Sequence, residues 1–141
     1  RWQRCDIKST SLLGNVLSMN NARNNGCDEV IMHKNKLITE GGASNVFFAN
    51  DDCVFTPSLS NNILPGITRE LLIEEIKQAG IKIEEGQFDV DDLLRAKSIW
   101  LTSSTKGLAQ VKEVNGKKTN LVNDHQLFKA CEEIFVKNFL S

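Results

Sequence analysis

Three short segments in the first half of the chain carry residues with distinct chemical capabilities. Lys8 ends the segment Arg-Cys-Asp-Ile-Lys and supplies a side-chain amine, which can attack an aldehyde when its pKa is lowered by burial or by nearby cations. Glu40 is followed by Gly-Gly-Ala-Ser, small residues that let a flat ring or an anion approach the backbone closely. Residues 64–68, Leu-Pro-Gly-Ile-Thr, lead into a predicted helix, whose first amides can bind a phosphate.

Each feature also has an ordinary explanation. Lys8 could be a solvated surface lysine, residues 39–42 a tight turn, and residues 64–68 the start of a Thr-capped helix. The hydroxyl-rich residues 102–105 could complete an anion site or form a polar turn. Taken together and in this order, the three segments supply what pyridoxal phosphate needs: a lysine for its aldehyde, an acid for its ring nitrogen and an anion site for its phosphate.

Composition excludes several other functions. The chain has 141 residues, 40% hydrophobic and 25% charged, with a net charge of -1, which predicts one globular domain and no basic surface for nucleic acid. It contains no apolar run long enough to span a membrane. Its four cysteines are widely separated, and neither His33 nor His125 lies near a close cysteine pair. We therefore expect reduced thiols, a cytoplasmic location and no metal site.

The hydrophobic pattern predicts hairpins interrupted by helices, without a strict alternation of strands and helices. This favours an α+β domain or an irregular α/β barrel-like domain. The predicted helices are 9–25, 69–78, 89–96 and 124–140. Thr68 is the predicted N-cap of helix 69–78, and Leu71, Leu72 and Ile76 form its predicted apolar face. The predicted strands form an antiparallel meander over 28–56, with strands at 28–33, 37–39, 45–49 and 53–56, and continue at 81–87, 98–102, 107–114 and 117–121.

The chain resembles the C-terminal part of the class IV (fold type IV) pyridoxal-phosphate-dependent aminotransferases, and among them most resembles the D-amino-acid (D-alanine) aminotransferases. Residues 4–9 followed by 12–15, residues 39–46 and residues 64–69 carry this resemblance. It implies the C-terminal large domain of the D-amino-acid aminotransferase-like fold. Branched-chain aminotransferases typically have a tyrosine five residues after the lysine; Leu13 stands there, and the chain contains no tyrosine.

The resemblance also implies a role for each site residue. Lys8 would bind the cofactor covalently and act as the general acid and base, Glu40 would pair with the ring nitrogen, and Leu64 would pack on the ring face. The residues implied to bind the phosphate are Ile67 through its backbone, Thr68 and Ser104. The Gly-Gly-Ala-Ser run after Glu40 departs from the serine-rich run usual in the D-amino-acid enzymes.

By the same resemblance, the reaction is a ping-pong transfer of an amino group from an amino acid, D-alanine for example, to a 2-oxo acid within a homodimer. Because the chain opens at Arg1 without an initiator methionine, we expect residues 1–141 to be one cofactor-binding domain at the C-terminal end of a longer two-domain chain. The family's phosphate-binding arginine and substrate-carboxylate groups lie in the N-terminal domain, so this domain alone should be inactive. The alternatives are a branched-chain aminotransferase, an aminodeoxychorismate lyase, or a non-catalytic scaffold.

Overall fold

A computed structural model describes residues 29–42, 44–60, 63–104, 107–114, 121–122 and 125–137. The strands are β1 (Ile31–Lys34), β2 (Leu37–Gly41), β3 (Asn45–Ala49), β4 (Val54–Pro57), β5 (Ile83–Gly86), β6 (Ser98–Ser103) and β7 (Gly107–Val111). The helices are α1 (Ile67–Gln78), α2 (Val90–Leu94) and α3 (Gln126–Phe135). The predicted helix 9–25, the strand residues 117–120 and the outermost residues of the last helix lie outside the described residues.

The strands form two sheets. Strands β1 and β2 pair as an antiparallel hairpin, and the other five form a sheet of order β5-β4-β3-β6-β7. Strands β4 and β5 are parallel and are connected through α1, whereas the remaining neighbours in this sheet are antiparallel. The mixture confirms the predicted α+β class. The predicted continuous meander over 28–56 is wrong, because β2 pairs with β1 and not with β3.

Strand β3 is the centre of the domain. Its sequence Asn-Val-Phe-Phe-Ala is buried at every position, as expected of a strand covered on both faces. Phe47 belongs to a buried cluster with residues of α1 and α3, and Phe48 to a second cluster with Ile38 of the hairpin and Leu93 of α2. Helices α1 and α3 therefore cover one face of the sheet, and the hairpin and α2 cover the other.

Two details of α1 differ from the sequence prediction. The N-cap is Gly66, which has extended backbone angles, so Thr68 is the second residue of the helix and not its cap. Leu71 was expected on the apolar face, but it is 40% exposed, and Ile73 is buried beside Leu72 instead. The helix starts two residues earlier than expected because glycine is itself an acceptable N-cap.

Within the described part of the chain, no helix is both long and apolar enough to cross a membrane.

Candidate functional site

Glu40 is the buried acid of the candidate site. It lies in β2, is only 2% exposed, and its Oε1 accepts a hydrogen bond of 2.6 Å from the backbone N–H of Leu64. A carboxylate buried to this degree requires hydrogen-bond partners, and a bond from an amide to an ionised oxygen is stronger than one between neutral groups. This bond joins the end of β2 directly to the segment that precedes α1.

A tight turn follows Glu40. The Gly41 N–H donates to the Ser44 carbonyl at 2.8 Å, and a Cβ at Gly41 would collide with the Ser44 side chain. The Gly42 N–H donates to Oε1 of Glu29 at 3.2 Å. The absence of a side chain at Gly41 therefore leaves room for Ser44 where the backbone folds back on itself. This arrangement supports the tight-turn interpretation and leaves the acid next to a closely packed backbone.

Leu64 is held at both of its peptide groups. Its N–H donates to Glu40 of β2, and its carbonyl accepts a bond of 2.9 Å from Nδ2 of Asn45, the first residue of β3. Because β2 and β3 belong to different sheets, Leu64 bridges them. The turn that starts α1 is thus fixed relative to both the acid and the central strand.

The first turn of α1 supplies backbone donors. The first helical bond runs from the N–H of Glu70 to the carbonyl of Gly66, at 3.2 Å, and Gly66 has no side chain to cap the helix. The amides of Ile67, Thr68 and Arg69 precede that bond, so they have no carbonyl partner within the helix. Together with the positive end of the helix dipole they favour an anion at this point.

The hydroxyl residues at the end of β6 lie at the same end of the sheet as Asn45, the first residue of β3. Thr102 is paired with Asn45 across the β3–β6 ladder, and Ser103 is the last residue of β6. The Thr102 side chain is buried, and its Oγ1 has no hydrogen-bond partner among the described residues. Ser104 follows in an exposed turn. Thr102 thus lies beside Asn45, the residue that holds Leu64, as an anion site shared with α1 would require.

Arg69 anchors the first turn of α1 to the sheet. It is 2% exposed, and its Nη2 donates to the Pro57 carbonyl at 3.0 Å and to Oε1 of Glu85 at 2.9 Å. Pro57 ends β4 and Glu85 lies in β5, so the arginine ties the helix to the parallel pair of strands. The Glu85 carboxylate neutralises this buried charge, so the role of Arg69 here is to hold the helix in place.

Sequence reasoning missed two positioning residues, Asn45 and Arg69. An asparagine at the start of a buried strand is unusual, because asparagine is depleted in strands. An arginine in the first helical turn is also unusual, because the positive end of the helix dipole disfavours a cation there. Both anomalies are visible in the sequence, although neither reveals the partner. Lys8 lies outside the described residues, so its distance from Glu40 stays a prediction.

A cavity of about 230 Å³ lies elsewhere, against the hairpin and α2 side of the sheet. It is lined in part by the rings of Phe48, Phe55 and Phe88, which pack against one another with centroids 5.2 to 5.4 Å apart. Neither Glu40 nor residues 64–68 contribute to its lining. Since the buried acid and the free amides of α1 are the groups suited to chemistry, we place the candidate site at the α1 N-terminus.

Comparison with known proteins identifies the class that this fold and site define. Residues 1–114 match the model of the family described as Amino-transferase class IV, and the chain belongs to that family. It is similar to the D-alanine aminotransferase of Listeria monocytogenes, with 39% identity over 116 residues, 82% of this chain and 40% of the relative. The chain thus spans about two fifths of the length of the curated relatives it matches.

Solved structures confirm the fold. The branched-chain amino acid aminotransferase from Escherichia coli superposes with a TM-score of 0.82 at 28% identity, over 90% of this chain and 43% of that one. An aminotransferase from Brucella abortus, determined with the co-factor PLP bound, gives a TM-score of 0.85 at 21% identity, over 97% of this chain and 49% of that one. The expected large-domain fold of type IV aminotransferases is therefore confirmed.

Proposed function

We propose that residues 1–141 form the cofactor-binding C-terminal domain of a pyridoxal-phosphate-dependent aminotransferase. The observation that carries the proposal is the 2.6 Å hydrogen bond between Leu64 and Glu40, which joins a buried acid to the turn whose amides favour an anion. The acid could pair with a basic nitrogen at one end of an aromatic ring, and the amides could bind a phosphate at its other end. Family membership supports the same cofactor.

The residues present fit pyridoxal phosphate. The buried Glu40 carboxylate is suited to hold a proton on the ring nitrogen, and the amides of Ile67 and Thr68 are suited to bind the phosphate. The Thr102 hydroxyl, which has no hydrogen-bond partner in the part of the chain that the structure describes, marks a polar position near that anion site, and Ser104 follows it in the turn. Leu64, held from both sides, supplies a side chain for the ring face.

When bound, the cofactor supplies an aldehyde for the amino group and an electron-withdrawing ring that stabilises a carbanion. Lys8 would hold the cofactor through its side-chain amine until the amino group of the substrate takes its place, and the freed amine would then accept and return a proton. Glu40 would keep the ring nitrogen protonated. The α1 amides with Thr68 and Ser104 would fix the phosphate, so that Lys8 reaches a defined position.

For the substrate, we propose a D-amino acid such as D-alanine as the donor and a 2-oxo acid as the acceptor. The support is the 39% identity to a D-alanine aminotransferase, together with Leu13 at the position where branched-chain enzymes have tyrosine. A branched-chain aminotransferase and an aminodeoxychorismate lyase are the alternatives within the superfamily. We further propose that the full protein is a cytoplasmic homodimer whose N-terminal domain completes the phosphate and substrate-carboxylate sites.

The test uses the full-length protein. On addition of pyridoxal phosphate, the wild type should develop a violet absorption band, and Lys8→Ala should lose it because no amine can bond to the aldehyde. Lys82→Ala, at an exposed position, is the matched control and should keep the band. A band that persists in the Lys8 variant would refute the assigned role of Lys8, and a wild type without one would refute the proposed cofactor.

Substrate choice is tested separately, by assaying D-alanine, L-leucine and aminodeoxychorismate as donors with the same protein. We expect transfer of the amino group from D-alanine to 2-oxoglutarate to be fastest. Preference for L-leucine would support the branched-chain alternative, and elimination from aminodeoxychorismate would support the lyase. Cofactor binding without reaction on any donor would support the non-catalytic scaffold.

A further inference from the structure

Asn45 makes two different contacts with the turn that precedes α1. Its Nδ2 donates to the carbonyl of Leu64 at 2.9 Å. Its Oδ1 fills the space that a Cβ at Gly66 would need. The side chain is 6% exposed, so these contacts are shielded from water. One asparagine therefore fixes both the position of Leu64 and the size of the residue that caps the helix.

The identity of Gly66 follows from this contact and not from its backbone. Its φ of -66° and ψ of 142° are open to any L-residue. The atom that excludes a side chain is Oδ1 of Asn45, since the next neighbours, Asn45 Cγ and Arg69 Cβ, would lie at 3.6 and 3.9 Å. A side chain at position 66 would therefore have to displace the Asn45 amide, whose Nδ2 is bonded to the Leu64 carbonyl.

The hydrogen bond from Asn45 to Leu64 bears on the distance between Glu40 and the first amides of α1. Glu40 of β2 holds the N–H of Leu64, and Asn45 of β3 holds its carbonyl. Without Asn45, the turn would keep its bond to Glu40 and, through Arg69, its bonds to β4 and β5, but it would lose its bond to β3. The amides of Ile67 and Thr68 would then shift relative to Glu40.

We propose that Asn45 is a positioning residue, which sets the spacing between the ring acid Glu40 and the phosphate-binding amides of α1 by bracing Leu64 and excluding a side chain at Gly66. This inference rests on the proposed function, because the spacing matters only if one ligand contacts both groups. It assigns no contact between Asn45 and the cofactor. The asparagine acts through Leu64 and Gly66.

The first test measures pyridoxal phosphate binding by the full-length protein. Asn45→Ala removes the donor, and Asn45→Asp keeps the shape but puts a carboxylate opposite the Leu64 carbonyl. We expect the dissociation constant to rise about tenfold in each, the effect of losing roughly 1.4 kcal/mol from a buried hydrogen bond. The phosphorus NMR shift of the bound cofactor should also move, because the amides around the phosphate are displaced. If Asn45→Ala fails to fold, Asn45→Asp carries the test.

Asn50→Ala is the matched control. Asn50 directly follows β3 at its other end, and its Oδ1 accepts the N–H groups of Asp52 and Cys53 at 2.9 and 2.8 Å. Its loss should lower the melting temperature but leave the dissociation constant and the phosphorus shift unchanged. If the Asn45 variants behaved in the same way, the asparagine would be merely structural and the inference would be wrong.

The second test is a double-mutant cycle between Asn45 and Gly66. Gly66→Ala in the wild type should weaken cofactor binding by about tenfold or more, because the methyl group collides with Oδ1 and displaces the turn. In the Asn45→Ala background the same change should have little further effect, since the space is free. Equal effects in both backgrounds would overturn the inference. A wild type that binds no pyridoxal phosphate would instead overturn the proposed function.

Discussion

The guanidinium of Arg69 and the carboxylate of Glu85 form a 2.9 Å ion pair in which the two side chains are 3% and 36% exposed. The buried partner therefore depends on this bond and on the Pro57 carbonyl, while the other partner keeps contact with water. The pair links the first turn of α1 to β5. Its loss should thus affect both stability and the shape of the candidate site.

We predict that Glu85→Ala lowers the free energy of unfolding by about 1–3 kcal/mol. A fully buried pair loses more when one partner is removed, but water at the Glu85 site can replace part of the lost bond. Urea unfolding at constant pH measures the effect. The control is Lys77→Ala, because Lys77 is 58% exposed and lies 3.9 Å from the same carboxylate. An equal loss in both variants would contradict a special role for the buried arginine.

Gly107 and Gly80 allow a matched prediction about backbone and packing. Both have positive φ, 64° and 79°, so alanine introduces backbone strain at each position. A Cβ at Gly107 would also meet the Phe135 ring at 2.8 Å, whereas a Cβ at Gly80 would meet no atom of the described residues within 4 Å. We expect Gly80→Ala to cost about 1 kcal/mol and Gly107→Ala roughly 1–3 kcal/mol more. Thermal unfolding of the two variants tests this prediction. Equal costs would show that the Phe135 ring of α3 moves aside without a loss of stability.

The Cys131 thiol should resist modification. Burial raises its pKa from 9.0 to about 12, so the reactive thiolate is scarce in the folded protein. Alkylation followed by mass spectrometry should find Cys131 modified only after unfolding. Rapid native labelling of this residue would mean that α3 opens frequently.

The same pKa shift predicts a pH dependence. The unfolded thiol ionises near 9.0 and the folded one near about 12, so its stabilising contribution is complete below pH 9 and is lost as the pH rises towards 12. Urea unfolding across this range should therefore show a steeper fall for the wild type than for Cys131→Ala. Because other groups titrate in parallel in both proteins, the difference between the two curves isolates the thiol.

The proposed role of Glu40 can be divided into its hydrogen bond and its charge. Glu40→Gln keeps an oxygen that accepts the Leu64 N–H, so the turn should stay in place and the cofactor should still bind. The neutral amide cannot hold a proton on the ring nitrogen, and we expect amino transfer to slow by about a hundredfold or more. Glu40→Ala should weaken cofactor binding as well. Single-turnover rates and dissociation constants of the full-length variants test this, and a Gln variant at wild-type rate would exclude the acid from the chemistry.

The elements defined by local pattern were predicted well. Strand β3 was predicted with its observed bounds, Asn45–Ala49, because a short run of buried residues between turn residues has few other interpretations. A helix was predicted over 89–96, and the structure places α2 at Val90–Leu94 with Asp89 as its N-cap, in a reciprocal capping box with Asp92. The type of each element is thus largely a local property.

Pairing between strands could not be predicted in the same way. Strand β4 pairs in parallel with β5 across the whole of α1, and β3 pairs with β6, far along the chain. The alternation of apolar and polar residues along a strand does not indicate which strand it pairs with. The predicted meander over 28–56 was wrong for this reason. The bracing of Leu64 by Asn45 was missed for the same reason, since the two residues are brought together only by the sheet. The types of the candidate site residues were readable in the sequence, but the geometry between them was not.

The pairing of Asn45 with Thr102 has a consequence for biosynthesis. The half of the site at Glu40 and Leu64 leaves the ribosome well before β6, so a nascent chain can carry the acid and the turn without the strand that supports them. The β3–β6 ladder can therefore form only after β6 has been translated and has docked beside β3. A ribosome stalled before residue 98 would hold a polypeptide in which every residue of β3 lacks its β6 partner.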